Sequence, residues 1–143
     1  MNEIPPLVGH QFQSLTRREF DWAIHFDKDT SLVIECLWRL LESGRIRLTS
    51  EDDGHQFGLP APLDAAAEVN SRLAGMIVVG VELRRESLDL EFHFNTGHVL
   101  QIIPNSSGYE AWHLAIGAQE FIAIGGGKLA TLGTTKDAGN GMS

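Results

Sequence analysis

The chain has a single cysteine, Cys36, among its 143 residues. One cysteine cannot form a disulfide bond within the chain, and it cannot supply the clustered thiolates of a structural zinc site. Cys36 lies in an apolar run, where free cysteine usually behaves as a small buried hydrophobic residue. We therefore expect a packing role for Cys36 and not a reactive thiol.

Long apolar runs are also absent. No segment approaches about 18 consecutive apolar residues, the length that a membrane-spanning helix requires. The first ten residues have neither a basic start nor an apolar stretch of signal-peptide length. The sequence therefore predicts a soluble, cytoplasmic protein without membrane association.

Basic residues are few. Eleven Lys and Arg stand against 19 Asp and Glu, which gives a formal net charge of −8. Nucleic-acid binding depends largely on neutralising phosphates with a basic patch. The two basic pairs, Arg17-Arg18 and Arg84-Arg85, are short and are followed by Glu19 and Glu86. The charge balance disfavours nucleic acid as a partner and favours a protein partner of basic character.

Common catalytic signatures are missing. The sequence has no G-x-S-x-G elbow, no H-E-x-x-H motif and no Rossmann glycine fingerprint. The stretch GGGK (125–128) is not a phosphate-binding loop, because Leu129 and Ala130 continue it as a strand and not as a helix. It predicts a tight hairpin turn. These absences favour a non-enzymatic protein without a cofactor.

Alternation with a period of two dominates the pattern that is present. In residues 21–26 and 87–94 the large apolar side chains fall on one face and the polar or small ones on the other, as in strands packed on one side only. The segments NTG (95–97) and DKD (27–29) then occupy the positions of hairpin turns.

The second half of the chain repeats the first. Residues 20–35 match residues 88–103 at a shift of 68, LVG (7–9) matches LAG (73–75) at a shift of 66, and Trp38 matches Trp112 at a shift of 74. We infer two similar β-meanders. The identical positions at the shift of 68 are Asp21/Asp89, His25/His93, Phe26/Phe94, Leu32/Leu100 and Ile34/Ile102.

One helix is predicted between the repeats, over about 62–74, from Pro62 and Asp64 near its start and Gly75 beyond its end. The expected fold is α+β and mostly antiparallel β, with eight to ten short strands. The two repeats would pack as a sandwich or a partly open barrel, and the helix would cover one edge. The predicted single domain spans 1–132, with repeat one at about 7–58 and repeat two at about 73–132, followed by a disordered tail at 133–143.

The acidic loop SEDDGH (50–55) is the first candidate site. Its exposed carboxylates would contact a protein partner, and a hard cation is the alternative ligand. His25 and His93 fall on the polar faces of their strands, either as solvated side chains or as a pair of metal ligands. The residues predicted to bind the partner are Glu51, Asp52, Asp53 and His55.

A pocket between the two β units is the second candidate, in a ligand-binding protein or an enzyme. Glu110 or His113 would be its polar anchor, although we expect Glu110 mainly to pin the preceding SSG turn (106–108). A homodimer with paired sheet edges is a third alternative. The residues expected to line the pocket are Trp38, Glu110, Trp112, His113 and Phe121.

SSGYEAW (106–112), followed by an apolar strand and GGG (125–127), resembles a family of small bacterial domains of unknown function that are grouped with immunity-type proteins of toxin systems. The resemblance covers about 73–130 and extends to the loop at 50–60. It implies a non-enzymatic protein-binding role, the blocking of a partner protein, and it supplies no catalytic residues. An immunity-like binding module is therefore the leading functional hypothesis.

Overall fold

A computed structural model describes residues 4–133. The predicted tail lies outside the described residues, apart from Gly133. Within the described range the chain forms eleven strands, one α-helix and one short 3-10 turn. The strands of the first half are β1 (Phe12–Arg17), β2 (Trp22–Phe26), β3 (Thr30–Ile34), β4 (Leu37–Glu42) and β5 (Arg45–Thr49). The 3-10 turn (Ser50–Asp52) and the helix α1 (Ala65–Leu73) follow. The second half contains β6 (Val78–Leu83), β7 (Leu90–Phe94), β8 (Val99–Ile103), β9 (Trp112–Ile116), β10 (Gln119–Ile124) and β11 (Lys128–Leu132).

Two antiparallel sheets form a sandwich, which confirms the predicted fold class. Sheet one has the strand order β1-β2-β3-β9-β10-β11, and sheet two has the order β5-β4-β8-β7-β6. The first unit (β1–β5) and the second unit (β6–β11) each contribute strands to both sheets. Eleven strands exceed the predicted eight to ten.

Strands β1–β5 correspond to β6–β10 in register as well as in strand order, whereas β11 has no counterpart in the first unit. Trp38 in the first unit lies opposite Ile102 of the second, and Trp112 lies opposite Ile34. A β-bulge interrupts β1 between Phe12 and Ser14, and a matching bulge interrupts β6 between Val78 and Gly80. Each residue of β2 therefore occupies the same structural position as the residue of β7 that lies 68 positions later in the sequence.

Reciprocal hydrogen bonds join the units where β1 and β6 begin. Gly9 N–H donates to the Val78 carbonyl and Gly75 N–H donates to the Phe12 carbonyl, each at 2.8 Å. Both glycines have positive φ, 94° and 84°, a conformation that side chains with a Cβ adopt at a cost. The LVG and LAG segments thus form one symmetric junction, which connects the two sheets along one side.

The inward faces of the two sheets share a single core. Phe12 of sheet one packs edge-on against Phe94 of sheet two with ring centroids 5.8 Å apart. Trp22 packs in the same way against Trp38 at 5.0 Å. Burying a large apolar side chain contributes about 1.5–3 kcal/mol, so contacts of this kind dominate the stability of the sandwich.

Helix α1 covers the edge strand β1, as predicted. It begins at Ala65, because Asp64 caps it by accepting a hydrogen bond from Ala67 N–H. The Asn70 side chain accepts from Leu15 N–H at 2.7 Å and donates to the Leu15 carbonyl at 2.9 Å. It occupies the hydrogen-bonding positions that an adjacent strand would take, and so keeps this sheet edge from pairing with another chain.

Candidate functional site

An open cleft of about 710 Å³ lies where the chain crosses between the sheets. The first unit crosses from β3 to β4 in residues 35–36, and the second crosses from β8 to β9 in residues 104–111. The longer crossover forms one wall of the cleft, and the turn from β1 to β2 contributes to the other. We call this the end cleft. Its lining residues are Phe20, Glu35, Cys36, Asn105, Ser106, Tyr109, Glu110 and Ala111.

Two glutamates give the end cleft a negative charge. Partial burial raises the pKa of Glu35, and repulsion from Glu110 and Asp21 raises it further, against the smaller opposing effects of His113 and Arg18. Arg18 is already bound by Asp21 through two hydrogen bonds of 2.5 and 2.8 Å. The Arg18 guanidinium is therefore bound to a different carboxylate, and the end cleft keeps an excess of negative charge.

Two aromatic side chains border these carboxylates. Phe20 is 84% exposed and Tyr109 is 82% exposed. Water exposure of large aromatic rings is unfavourable in an isolated domain and is a frequent property of binding surfaces. The faces of such rings also attract cations, most strongly when the site excludes water. Chemically, the end cleft is suited to a positively charged group with an apolar stem.

The crossover that carries Tyr109 and Glu110 is held in place by its own turn. The Ser106 hydroxyl accepts hydrogen bonds from Gly108 N–H at 3.1 Å and Tyr109 N–H at 3.0 Å. Glu110 is exposed on the cleft wall, so the turn is pinned by Ser106 and not by Glu110, contrary to our expectation. Strand alternation does not reach Glu110, because β9 begins only at Trp112.

The GGG turn packs against the SSG turn in this wall of the cleft. Residues 125–127 form the hairpin between β10 and β11, as the sequence predicted. A Cβ at Gly125 would lie 2.6 Å from the backbone of Gly108. Glycine is required for this close approach, which fixes the SSG turn relative to sheet one.

Cys36 lies at the base of the end cleft and is partly buried. Burial raises the pKa of its thiol to about 12. A thiol with this pKa is protonated at neutral pH and is a poor nucleophile.

The acidic loop contains two partly buried carboxylates and two fully exposed side chains. Asp52 accepts from Thr49 N–H and Asp53 accepts from Ala65 N–H, each at 2.9 Å, so both carboxylates cap backbone groups. Glu51 and His55 are exposed, and the His55 ring stacks on Phe57 with centroids 5.4 Å apart. Partner contact through this loop therefore stays a prediction for all four residues, and Asp52 and Asp53 have structural roles in addition.

The structure does not gather the five predicted pocket residues around one cavity. Trp38, Trp112 and Phe121 are buried in the core. His113 lies on the outer face of sheet one, where Nε2 is 2.8 Å from Glu120 Oε1. Of the five, Glu110 alone lines the end cleft. The sequence did contain one signal for this cleft. The offset that aligns the two halves of the chain rises from 68 for residues 20–35 to 74 for Trp38, because the second crossover is longer than the first.

The two matching histidines lie far apart in the sandwich. His25 is on the outer face of sheet one and His93 is on the outer face of sheet two, because their neighbours along each strand point into the core. They cannot be ligands of the same metal ion.

No protein-family model, no characterised protein and no solved structure matches this chain. The resemblance carried by residues 106–112 therefore stays a prediction. Within residues 4–133, no helix is both long enough and apolar enough to cross a membrane.

Proposed function

We propose that this protein is a non-enzymatic binding module that takes a lysine or arginine side chain of a basic protein partner into the end cleft. The observation that carries the proposal is the pair of carboxylates, Glu35 and Glu110, coupled by repulsion in a cleft bordered by Phe20 and Tyr109. A bound cation would remove this repulsion, and its alkyl stem would cover the exposed aromatic rings.

The charge of the whole chain supports the same partner. A net charge of −8 attracts a basic protein over a distance set by the ionic strength, and it accelerates encounter more than it strengthens the final complex. Blocking the partner's active or binding surface, the role that the immunity-type resemblance implies, is the mode of action we include in this proposal.

The end cleft needs little rearrangement to bind. The two crossovers are joined by a 2.8 Å hydrogen bond from Glu35 N–H to the Ala111 carbonyl, and the SSG turn is fixed by Ser106 and Gly125. A preorganised site loses less conformational entropy on binding, so more of the interaction energy is available for affinity.

Peptide arrays provide the test. Twelve-residue peptides that contain single lysines or arginines would be probed with wild type, with Glu35→Gln/Glu110→Gln, and with the matched control Asp29→Asn/Glu86→Gln. Both variants remove two negative charges, and the control residues are exposed outside the cleft. We expect the cleft variant to bind about tenfold more weakly or worse, and the control to bind like wild type.

Three results would contradict the proposal. Equal loss in both variants would mean that only overall charge matters. Absence of binding to every lysine or arginine peptide would exclude a basic protein segment. A free amine, N-acetyl-lysine amide, serves as the competitor; if it binds the wild type as tightly as any peptide does, the protein recognises a small amine and not a protein.

A further inference from the structure

A second cluster of ionisable side chains lies on the outer face of sheet two, away from the end cleft. His93 Nε2 is 3.1 Å from Glu91 Oε1 and 3.6 Å from Glu82 Oε2. One donor atom from each of the three residues lies within 4.8 Å of the other two. We call these three residues the sheet-two triad.

The two carboxylates of the triad repel each other. Glu82 in β6 lies directly opposite Glu91 in β7. Like charges in directly opposed positions of an antiparallel pair are destabilising. A divalent cation bound between the two carboxylates would attract both of them. The single positive charge of a protonated histidine would offset their repulsion only in part.

The His93 ring has space over the neighbouring strand because a glycine lies opposite it. Gly80 is the cross-strand partner of His93, and a Cβ built at Gly80 would be 3.6 Å from the His93 Cβ. No side chain at this position competes for the space beside the imidazole.

A chain of hydrogen bonds orients Glu91. Its Oε2 accepts from the Gln101 side chain at 2.5 Å, which leaves Oε1 directed towards His93. Gln101 is in turn held by the Arg39 guanidinium, which donates to its amide oxygen. Partners of this kind fix ligand geometry in metal sites, and their loss commonly weakens metal binding 10- to 100-fold.

The first unit provides an internal contrast. The residues equivalent to the carboxylate pair are Thr16 and Ala23, which also lie opposite each other. The equivalent of His93 is His25, which is exposed. The histidine thus occurs in both units, whereas the two carboxylates that complete a chelating set occur in the second unit.

We propose that the sheet-two triad is a binding site for a first-row divalent transition metal ion, with Zn²⁺ as the representative ion. In a tetrahedral site with bonds of about 2.0–2.1 Å, the ligand atoms are about 3.3 Å apart, close to the two distances from His93. Imidazole nitrogen with two carboxylates favours such ions over Ca²⁺ and Mg²⁺, which prefer oxygen ligands alone. Three protein ligands leave a coordination position open at the protein surface.

Histidine NMR with ZnCl₂ as the probe tests this site at pH 7. We expect the imidazole signals of His93 to shift and saturate at one equivalent of Zn²⁺, while those of His25 stay in place. In calorimetric titration with ZnCl₂, His93→Ala should lose the one-equivalent binding event and His25→Ala should keep it. Glu82→Gln, at a side chain that is 75% exposed, should weaken binding at least tenfold without unfolding the protein.

Three results would overturn the proposal: equal shifts of His25 and His93, unchanged binding by His93→Ala, or no Zn²⁺-dependent shift of His93 in the wild type. Thermal unfolding of the metal-free variants ensures that a loss of binding is not a loss of fold. The test is independent of the end cleft, so either proposal can fail without the other.

Discussion

Trp38 and Trp112 occupy equivalent positions in the two units, but their indole groups are satisfied differently. Trp112 donates its Nε1–H to the Leu88 carbonyl at 2.9 Å. Trp38 Nε1 is buried and has no hydrogen-bond partner among residues 4–133. The cause lies in the preceding turns, since residues 18–21 join β1 to β2, whereas the longer segment 84–89 joins β6 to β7. The longer segment folds inward and buries Leu88, while its counterpart Phe20 is exposed.

This asymmetry predicts different costs for the same substitution. Trp38→Phe and Trp112→Phe both reduce the volume of a fully buried side chain, but only Trp112→Phe breaks a hydrogen bond and leaves the Leu88 carbonyl without its indole donor. We expect Trp112→Phe to lower the free energy of unfolding by about 1–3 kcal/mol more than Trp38→Phe. Urea unfolding of the two variants measures this difference, and equal midpoints would contradict it.

The GGG turn predicts another matched pair. Gly126 and Gly127 both have φ of 80°, but a Cβ at Gly127 would lie 2.1 Å from the Glu86 carbonyl oxygen, whereas one at Gly126 would be 3.5 Å from its nearest neighbour. Gly126→Ala should cost about 1–2 kcal/mol from backbone conformation alone. Gly127→Ala adds a backbone clash and should unfold at a clearly lower temperature. Calorimetry of both variants is the measurement; equal transition temperatures would show that the clash relaxes without cost.

Asn70 should stabilise the protein through the edge of sheet one. Asn70→Ala removes both hydrogen bonds to Leu15 and should lower the free energy of unfolding by about 1–3 kcal/mol. The uncovered edge should also promote aggregation, which light scattering would detect. Ser71→Ala, on the exposed side of the same helix, is the control and should behave like wild type. If both variants unfold at the same urea concentration, the two hydrogen bonds between Asn70 and Leu15 do not contribute to stability.

Glu35 predicts a specific pH dependence of stability. Its pKa is raised in the folded protein, so between the ordinary value of 4.5 and the folded value the native state holds a proton that the unfolded chain releases. Stability therefore falls as the pH rises through this window. Glu35→Gln should be more stable than wild type at pH 7, and this advantage should disappear at pH 4.

Urea unfolding at the two pH values measures the effect of Glu35, with Glu51→Gln as the exposed control. In addition, Glu110→Gln should lower the pKa of Glu35, which carboxyl ¹³C NMR would record directly. A Glu35→Gln advantage of the same size at pH 4 and pH 7 would exclude titration as its origin.

Cys36 should be nearly inert towards thiol reagents. With a pKa of about 12, its thiolate fraction at pH 8 is lower than that of an ordinary cysteine by about three orders of magnitude. The rate of reaction with a disulfide reagent in the native protein should rise about tenfold per pH unit from pH 8 to 10. The urea-unfolded chain, as the reference, should level off near pH 9. A plateau near pH 9 in the native protein would contradict the raised pKa.

The sequence predicted the strands better than the site. Alternation along residues 22–26 and 90–94 located β2 and β7. The shift of 68 identified them as equivalent strands of the two units. The end cleft was not predicted, because it depends on the path of a crossover that contains no periodic pattern. Asp52 and Asp53 looked like a free acidic patch, since composition does not distinguish a capping carboxylate from an exposed one. The Glu82 and Glu91 pair was missed because it required the register of β6 against β7.

Because each unit places strands in both sheets, the two halves of the chain depend on each other to fold. Neither unit can complete a sheet alone, because β3 needs β9 beside it and β4 needs β8. A chain cut within the exposed segment 56–61 would therefore yield two fragments that are each unstable in isolation and fold only on meeting. Such fragments would act as a split reporter, whose reassembly rate depends on concentration and whose core forms only when both halves are present.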